Sequence, residues 1–561
     1  MNGKHGIQNI SRRNVLKCTA AGVGSALLNS ACFELSRAND SGPIVETREG
    51  KLRGVATDKL TIFKGVHYGE TTAGKGRFRK PIPLKAWNGI REASALGDPC
   101  FQNNPDWVGW KEDNNGSEDC LVLNIWSPRT AGKKPVMVFF HGGSYMYGSG
   151  GAPMYDGARL AERGDVVAIT VNHRIHMLGF MHLAALSEDY KGCSNAGLLD
   201  LVEALRWINR NINEFGGDSE NVTIFGESGG GGKVSCLMAM PAAKGLFHRA
   251  IVQSGSQLRV RDPIDATKDA KAALSLLGIQ EGHLTGLENV PPQVIWDTYM
   301  KVSQGNIRGG FSDVAFSPVL DPDSLPFQPG SPEAIEISKE VALLVGTNEA
   351  EGTFPLLMAD LLKAPADEKA VQQNLEQLFS KVRDQGRAKL VELIDATKSK
   401  NPGIDPYHLL VAVSTDLWMT RDAIEQAERR IEHGAPEVYM YRFGWKEPCL
   451  GGQWATHAAE LPFLFDHLDI DQIWGEPGLD AARQKLDPQN SRYRLRDGII
   501  ASWSAFARHG KPTAGELPPW SVYDKESRLV MRLDGKSAVV ADPLGPSIRK
   551  PLGSLEVGVG S

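Results

Sequence analysis

Neither a CxxC pair nor an HExxH stretch occurs in the sequence, so it offers no metal site, and nothing in it calls for a cofactor. There is no basic tract, and a formal charge of −5 makes nucleic acid a poor partner. Beyond the first 38 residues no stretch is long and apolar enough to be a transmembrane helix. No Pro/Ser-rich linker, charge run or repeat divides the 561 residues. Although a typical domain has only about 100–200 residues, the chain therefore reads as one large α/β domain with long insertions. Cysteine is scarce at seven residues, two of them before residue 39. The odd five that remain (100, 120, 193, 236, 449) leave at least one free thiol in a monomer. At 41% hydrophobic and 23% charged residues, the composition is that of an ordinary soluble globular protein.

Residues 1–38 stand apart from the rest. Ser11-Arg12-Arg13-Asn14-Val15-Leu16-Lys17 is a twin-arginine pattern, followed by a weakly apolar stretch from Thr19 to Leu28 that is too short and too rich in Gly and Ala to span a bilayer. Ser36-Arg37-Ala38 offers small residues for cleavage. The expectation is a twin-arginine signal peptide over 1–38, a mature chain over 39–561, the twin-arginine export machinery as the precursor's partner, and a periplasmic or secreted product. Five basic residues and one acid give the leader +4, so the mature chain sits at −9. Cys32 as a lipidated N-terminus is a weaker alternative, because Asn29 stands where a lipoprotein signal prefers an aliphatic residue.

What the chain does have is concentrated in Asn221 to Val234, NVTIFGESGGGGKV. Asn-Val-Thr-Ile-Phe has the composition of a buried strand. Gly226-Glu227-Ser228-Gly229-Gly230 follows without a linker, and Val234, Leu237 and Met238 then recur at helical spacing. Strand, G-x-S-x-G, helix predicts a nucleophile elbow, with the Ser228 hydroxyl at the positive end of the following helix. GGGGK also suggests a phosphate-binding loop, but counting back from Lys233 puts Glu227 at the first glycine position and Val234 at the Ser/Thr position. A carboxylate would repel phosphate and no hydroxyl is left for magnesium, so that reading fails.

Around the elbow, residues 44–98 read as a small β-meander. Lys134–Phe140, Asp165–Val171, His248–Ser254, Val341–Val345 and Val438–Trp445 read as strands. Asn195–Phe215 is an amphipathic helix stopped by Gly216-Gly217, and Asp497–His509 is a helix closed by Gly510 and Pro512. Residues 355–435 look helical and polar, a cap or flank. Strands alternating with helices predict a mainly parallel sheet covered on both faces.

Six stretches carry a wider resemblance: SEDCLVLNIW (117–126), HGGSYMYG (141–148), FGGDSENVTIFGESGGG (215–231), AKGLFHRAIVQSGS (243–256), GTNEAEGTF (346–354) and THAAELPFLF (456–465). With them the chain resembles the type-B carboxylesterases, the α/β-hydrolase family that includes cholinesterases and para-nitrobenzyl esterases, from Pro43 to Asp542. The resemblance implies an α/β-hydrolase fold and a serine carboxylester hydrolase acting on a small-molecule ester through an acyl-Ser228 intermediate. It selects Glu351, not Glu349, as the triad acid and His457, before E-L-P-F, as the triad base. It also implies an oxyanion hole from the N–H groups of Gly143, Ser144 and Gly229. Amide or carbamate hydrolysis would use the same groups. An inactive recognition protein of the same family would lose triad members, and this chain keeps all three.

Further positions follow from the same likeness. Ser254 matches a residue that hydrogen-bonds the triad carboxylate, and Glu227 matches an acidic site that favours a cation or ordered water; simple hydrogen-bond satisfaction explains either as well. Cys100 and Cys120 match the family's first disulfide, around a loop holding Trp107 and Trp110. Trp110 stands where cholinesterases place an indole for choline, and packing of the loop is the simpler role. Gly229 replaces the commoner Ala and further glycines follow. Since Gly disfavours helix by up to about 1 kcal/mol per position, the expectation is a looser helix start and a roomier pocket floor. His173 and His176, in the Asn172–His176 segment, have no assigned function.

Overall fold

The structure is a computed structural model that describes residues 42–103, 115–303, 314–363, 365–449, 452–469, 479–513 and 515–555. The leader with Cys32, and the loop tip with Trp107 and Trp110, lie outside the described residues.

Every residue of the apolar run Lys134–Phe140 is buried, as a strand covered on both faces must be. Among the described residues it is one of eleven strands in a single sheet: β1 (Val55–Ala56), β2 (Leu60–His67), β3 (Val122–Pro128), β4 (Lys134–Phe140), β5 (Val167–Val171), β6 (Gly217–Glu227), β7 (Arg249–Gln253), β8 (Ala342–Asn348), β9 (Val438–Phe443), β10 (Leu529–Leu533) and β11 (Ala538–Ala541). Their spatial order is β1-β2-β3-β5-β4-β6-β7-β8-β9-β10-β11. Every pairing from β5 across to β10 is parallel. The pairings at the two margins are antiparallel.

Alternation along β4 divides the core. Val136, Val138 and Phe140 pack in one cluster with Leu201, Leu205 and Ile208 of α1 (Ala196–Asn211). Val234 and Leu237 of α2 (Gly229–Met238) and Ala423 and Ala427 of α3 (Arg421–Glu432) join that side. Met137 and Phe139 pack on the opposite side with Ile499, Trp503 and Phe506 of α4 (Ser491–His509). This is the α/β-hydrolase architecture expected from the sequence. A third cluster gathers helices between residues 353 and 417 with the C-terminal helix Pro546–Gly553. The segment expected to be a cap or flank thus has its own core, while its last helix, α3, belongs to the main sheet.

Residues 44–98 depart from a plain meander. Ile44–Glu46 pairs antiparallel with Lys51–Arg53, but Ile90–Glu92 joins Lys51–Arg53 in parallel, and β1 and β2 leave for the main sheet. Buried Phe63 and Val66 draw β2 into the core. Among the described residues no helix is long and apolar enough to cross a membrane.

Candidate active site

The parallel strands β4, β6, β7 and β8 deliver their carboxyl ends to one edge of the sheet, beside the reversal of strand order at β4 and β6, where α/β folds bind ligands. β6 ends at Glu227 and α2 begins at Gly229. Ser228 between them has φ 57° and ψ −125°, a conformation disfavoured by on the order of 1–3 kcal/mol. Neighbours hold it there: Ser228 N–H donates to the Gln253 carbonyl at 2.9 Å, and Gly232 N–H donates to the Ser228 carbonyl at 3.1 Å. A β-carbon at Gly230 would stand 2.0 Å from the Phe140 carbonyl oxygen. The sharp turn therefore depends on the small residues that flank the serine.

The glycines do not loosen the pocket floor, contrary to the sequence-based expectation. A β-carbon at Gly229 would lie 2.1 Å from the Ser144 carbonyl oxygen. The missing side chain has been filled by the turn His141–Tyr145, which closes down on the start of α2. In that turn Gly143 (φ 80°) and Ser144 (φ 56°) are both left-handed, and Gly143 is exposed. A β-carbon on Gly142 would be 3.4 Å from Ser228 Cβ. Gly143, Ser144 and Gly229 are thus gathered around the serine.

The acid and the histidine meet as a buried pair. His457 Nδ1 lies 2.5 Å from Glu351 Oε2. Ser254 Oγ donates to Glu351 Oε1 at 2.5 Å, and Asn348 N–H donates to the same oxygen at 2.6 Å. Glu349 points elsewhere, to Arg532 Nε at 2.7 Å. Among the described residues Nε2 of His457 finds no hydrogen-bond partner, and it stands 3.3 Å from Glu227 Oε1; contacts to a nucleophile commonly tighten only when substrate binds. Burial works against charge on His457, but the carboxylates of Glu227 and Glu351 prevail and hold its pKa up at about 9. Burial, aided by Glu460 and Glu351, pushes the Glu227 carboxyl well above its usual range, against the pull of His457.

Three contributors were not found by sequence reasoning. Glu460 accepts from Gln253 Nε2 at 3.0 Å and from Asn348 Nδ2 at 2.7 Å, and so braces the strand ends that carry Glu351 and Ser254. Its signal was present, an acid three residues after His457 in one short turn. Phe354 and Trp418 stack on each other (centroids 5.7 Å apart, planes at 8°) and lie 5.2 and 4.8 Å from the His457 ring. Both are half-buried and form an aromatic wall beside the histidine. Trp418 lies in a π-helical turn, Asp416–Thr420, and nothing in the sequence marked it.

Other expectations resolve at the margin of the site. Cys100 and Cys120 are buried and stand as two thiols, not as the disulfide that the family resemblance implied. Burial would raise the Cys100 thiol, but hydrogen bonds with Cys120 and His176 pull it below its ordinary value, while that same contact and burial raise Cys120. The two thiols are thus hydrogen-bonding neighbours. His173 stacks on His141 (4.7 Å, 5°), and His176 packs against Trp296 and Tyr299 with Nε2 2.7 Å from the Phe101 carbonyl; both serve packing. Among the described residues no group of three or more His, Cys, Asp or Glu gathers to hold a metal ion.

Comparison with known proteins shows the family. Residues 41–546 match the sequence profile of the carboxylesterase family. The chain is 34% identical over 505 residues to the para-nitrobenzyl esterase of Bacillus subtilis (strain 168), covering 89% of this chain and 96% of that one. It is 33% identical over 515 residues to the phenmedipham hydrolase of Pseudarthrobacter oxydans, covering 90% and 97%. The solved structure of a thermophilic para-nitrobenzyl esterase superposes with a TM-score of 0.76 at 33% identity, covering 91% of this chain and all of that one.

Proposed function

The chain belongs to the carboxylesterase family and is an ester-hydrolysing enzyme; from that premise we propose that it works through an acyl-Ser228 intermediate. The observation that carries this reading is the buried Glu351–His457 pair at the edge where the elbow presents Ser228. A serine hydroxyl is a weak nucleophile, so His457 Nε2 takes its proton as Oγ bonds to the ester carbon. Glu351 fixes the imidazole tautomer and stabilises the imidazolium, and Ser254 and Asn348 hold Glu351 in place. The oxyanion accepts hydrogen bonds from the N–H groups of Gly143, Ser144 and Gly229. His457 then protonates the departing alcohol, and a water activated by the same ring releases the acid. The test is Ser228→Ala with mass spectrometry of the quenched wild-type enzyme. Turnover should fall by roughly three or more orders of magnitude and an acyl group should be found on Ser228. Several per cent residual activity, or an acyl group on another residue, would sink the mechanism.

The leaving alcohol must sit beside His457, because that ring protonates it. There it meets the wall of Phe354 and Trp418, which fits an aromatic alcohol portion, such as the para-nitrobenzyl group in the name of a relative. Trp418→Ala should raise KM for benzyl esters about fivefold and leave ethyl esters of the same acid within about twofold, as expected when one stacked ring contact worth ~1 kcal/mol is lost. Equal effects on both esters would remove the wall from substrate recognition.

Residues 1–38 are proposed to be the twin-arginine leader of a periplasmic or secreted enzyme, with 39–561 as the mature domain. The start of the family match at residue 41 supports that boundary. Normal periplasmic activity after Arg12→Lys with Arg13→Lys would rule the address out.

A further inference from the structure

One conspicuous residue of the elbow plays no part in the mechanism above. Lys233, whose run of glycines suggested and then failed to make a phosphate-binding loop, is fully buried. Lysine is almost never fully buried without a partner that repays the lost hydration. Its partners here are two backbone carbonyls: Nζ donates to His141 O at 2.9 Å and to Ser144 O at 3.0 Å. The ammonium also lies 5.4 Å from the centre of the Tyr145 ring. These contacts span the turn proposed above to supply two of the oxyanion's donors.

We propose that Lys233 is a positioning residue for the oxyanion hole, tying down the two carbonyls that bracket the turn so that the Gly143 and Ser144 N–H groups stay turned toward the developing charge. The local geometry favours this. Gly143 and Ser144 are both left-handed, a conformation that Ser144 leaves readily unless the surroundings fix it. With His141 O and Ser144 O held from beneath, the intervening peptides cannot rotate to carry their N–H groups away from the cleft. Lys233 is also one helical turn after Gly229 on α2. One helix thus supplies the third donor and anchors the turn that supplies the other two. Burial pulls the lysine down to about 7, against Cys236 and Glu227, but a neutral amine still has two N–H bonds to give, so the tie outlasts the charge.

The inference rests on the acyl-serine reading, and the experiment separates the two. Wild-type enzyme is first labelled with a fluorophosphonate, which reports a reactive Ser228. A trifluoromethyl ketone then adds Ser228 Oγ to its carbonyl carbon, with the serine proton passing to His457, and leaves an oxyanion in the hole. An ether isostere of the ester binds without forming one. In Lys233→Met, kcat should fall roughly 10- to 100-fold, less than the loss of a donor itself, and ketone affinity should fall by the same factor. KM and affinity for the ether should stay within about twofold, the signature of an interaction made only in the transition state. Lys233→Gln, which keeps an N–H donor, should recover part of both losses. An unlabelled Ser228 in wild type overturns the mechanism and this assignment together. A labelled Ser228 with unchanged ketone affinity in Lys233→Met overturns the assignment alone, as does failure of both variants to fold, which would make Lys233 a folding residue.

Discussion

Three carboxylates surround one histidine, and that charge balance sets the pH at which the base can work. His457 accepts the Ser228 proton only when neutral, and its pKa is held at about 9. The kcat/KM profile should therefore rise with pH toward an alkaline plateau. Glu227 is, with Glu351, one of the two main carboxylates behind that shift, so Glu227→Gln should move the limb to lower pH. An unmoved limb would show that Glu227 is uncharged throughout. The stability sign follows the same shift: a histidine raised in the fold stabilises fully below its unfolded value of about 6.5 and loses that contribution as pH rises through about 9. Glu351→Gln should abolish most activity, and Glu349→Gln should leave it nearly intact, because Glu349 pairs with Arg532; the reverse ranking would mean that the wrong acid was chosen. At this scale the sequence was informative where a residue sits inside a motif, as Glu351 and His457 do. Trp418 reaches the site through a turn of a flanking helical region, and tertiary packing of that kind leaves no local trace.

The elbow works as an element because four segments approach more closely than side chains allow. That makes Gly229→Ala a sharp test, since Ala is the commoner residue in the family that this chain resembles. Here its methyl would meet the Ser144 carbonyl oxygen, so the turn must move away and take two donors with it. Overpacking of this kind costs about 1–3 kcal/mol. The variant should melt at lower temperature and lose more in kcat than in KM, and wild-type kinetics would mean that the turn shifts freely. The elements that reveal themselves by pattern are the ones with a single dominant cause. β4 and β5 are continuous apolar runs because both faces are covered. α1 shows its 3.6 spacing up to Asn211, and a separate 3-10 turn, Ile212–Phe215, carries the chain on to left-handed Gly216. Helix α4 begins at Ser491, six residues before the sequence signal at Asp497, because Asp487 accepts from the N–H groups of Ser491 and Arg492 and so caps it from outside the periodic stretch. The edge strands β1 and β11 were not legible. They are short and partly exposed, and their order comes from pairing with a neighbour, not from their own pattern.

Across the whole molecule, the two neighbouring thiols and the proposed leader together bear on the order of folding and export. Twin-arginine export carries folded protein out of a reducing cytoplasm, where Cys100 and Cys120 would remain thiols. The base of their loop does not need a covalent bond to find its shape. Phe101 N–H donates to Ser117 O at 3.0 Å, and Gln102 N–H donates to Asn115 O at 2.8 Å. The Gln102 side chain then pairs with Gly148 through two bonds of 2.8 Å, which fastens the loop to the segment that follows the oxyanion turn. Folding can therefore bring the sulfurs together first, and oxidation after export can close the bond, helped by the lowered pKa of Cys100. For the 19 residues between the cysteines, loop entropy gives a stabilisation of about 3 kcal/mol, a sizeable part of the roughly 5–15 kcal/mol that holds a domain together. Cys100→Ser with Cys120→Ser should thus fold and be exported, melt several degrees lower than oxidised wild type, and show a raised KM with little change in kcat, since the base of the loop is fastened through Gln102 to Gly148, beyond the proposed oxyanion turn, and carries none of the proposed catalytic residues. Peptide mapping of exported wild-type enzyme without reduction reads the bond directly. Free thiols at both positions after export, or a double variant that cannot fold in the cytoplasm, would overturn this order of events.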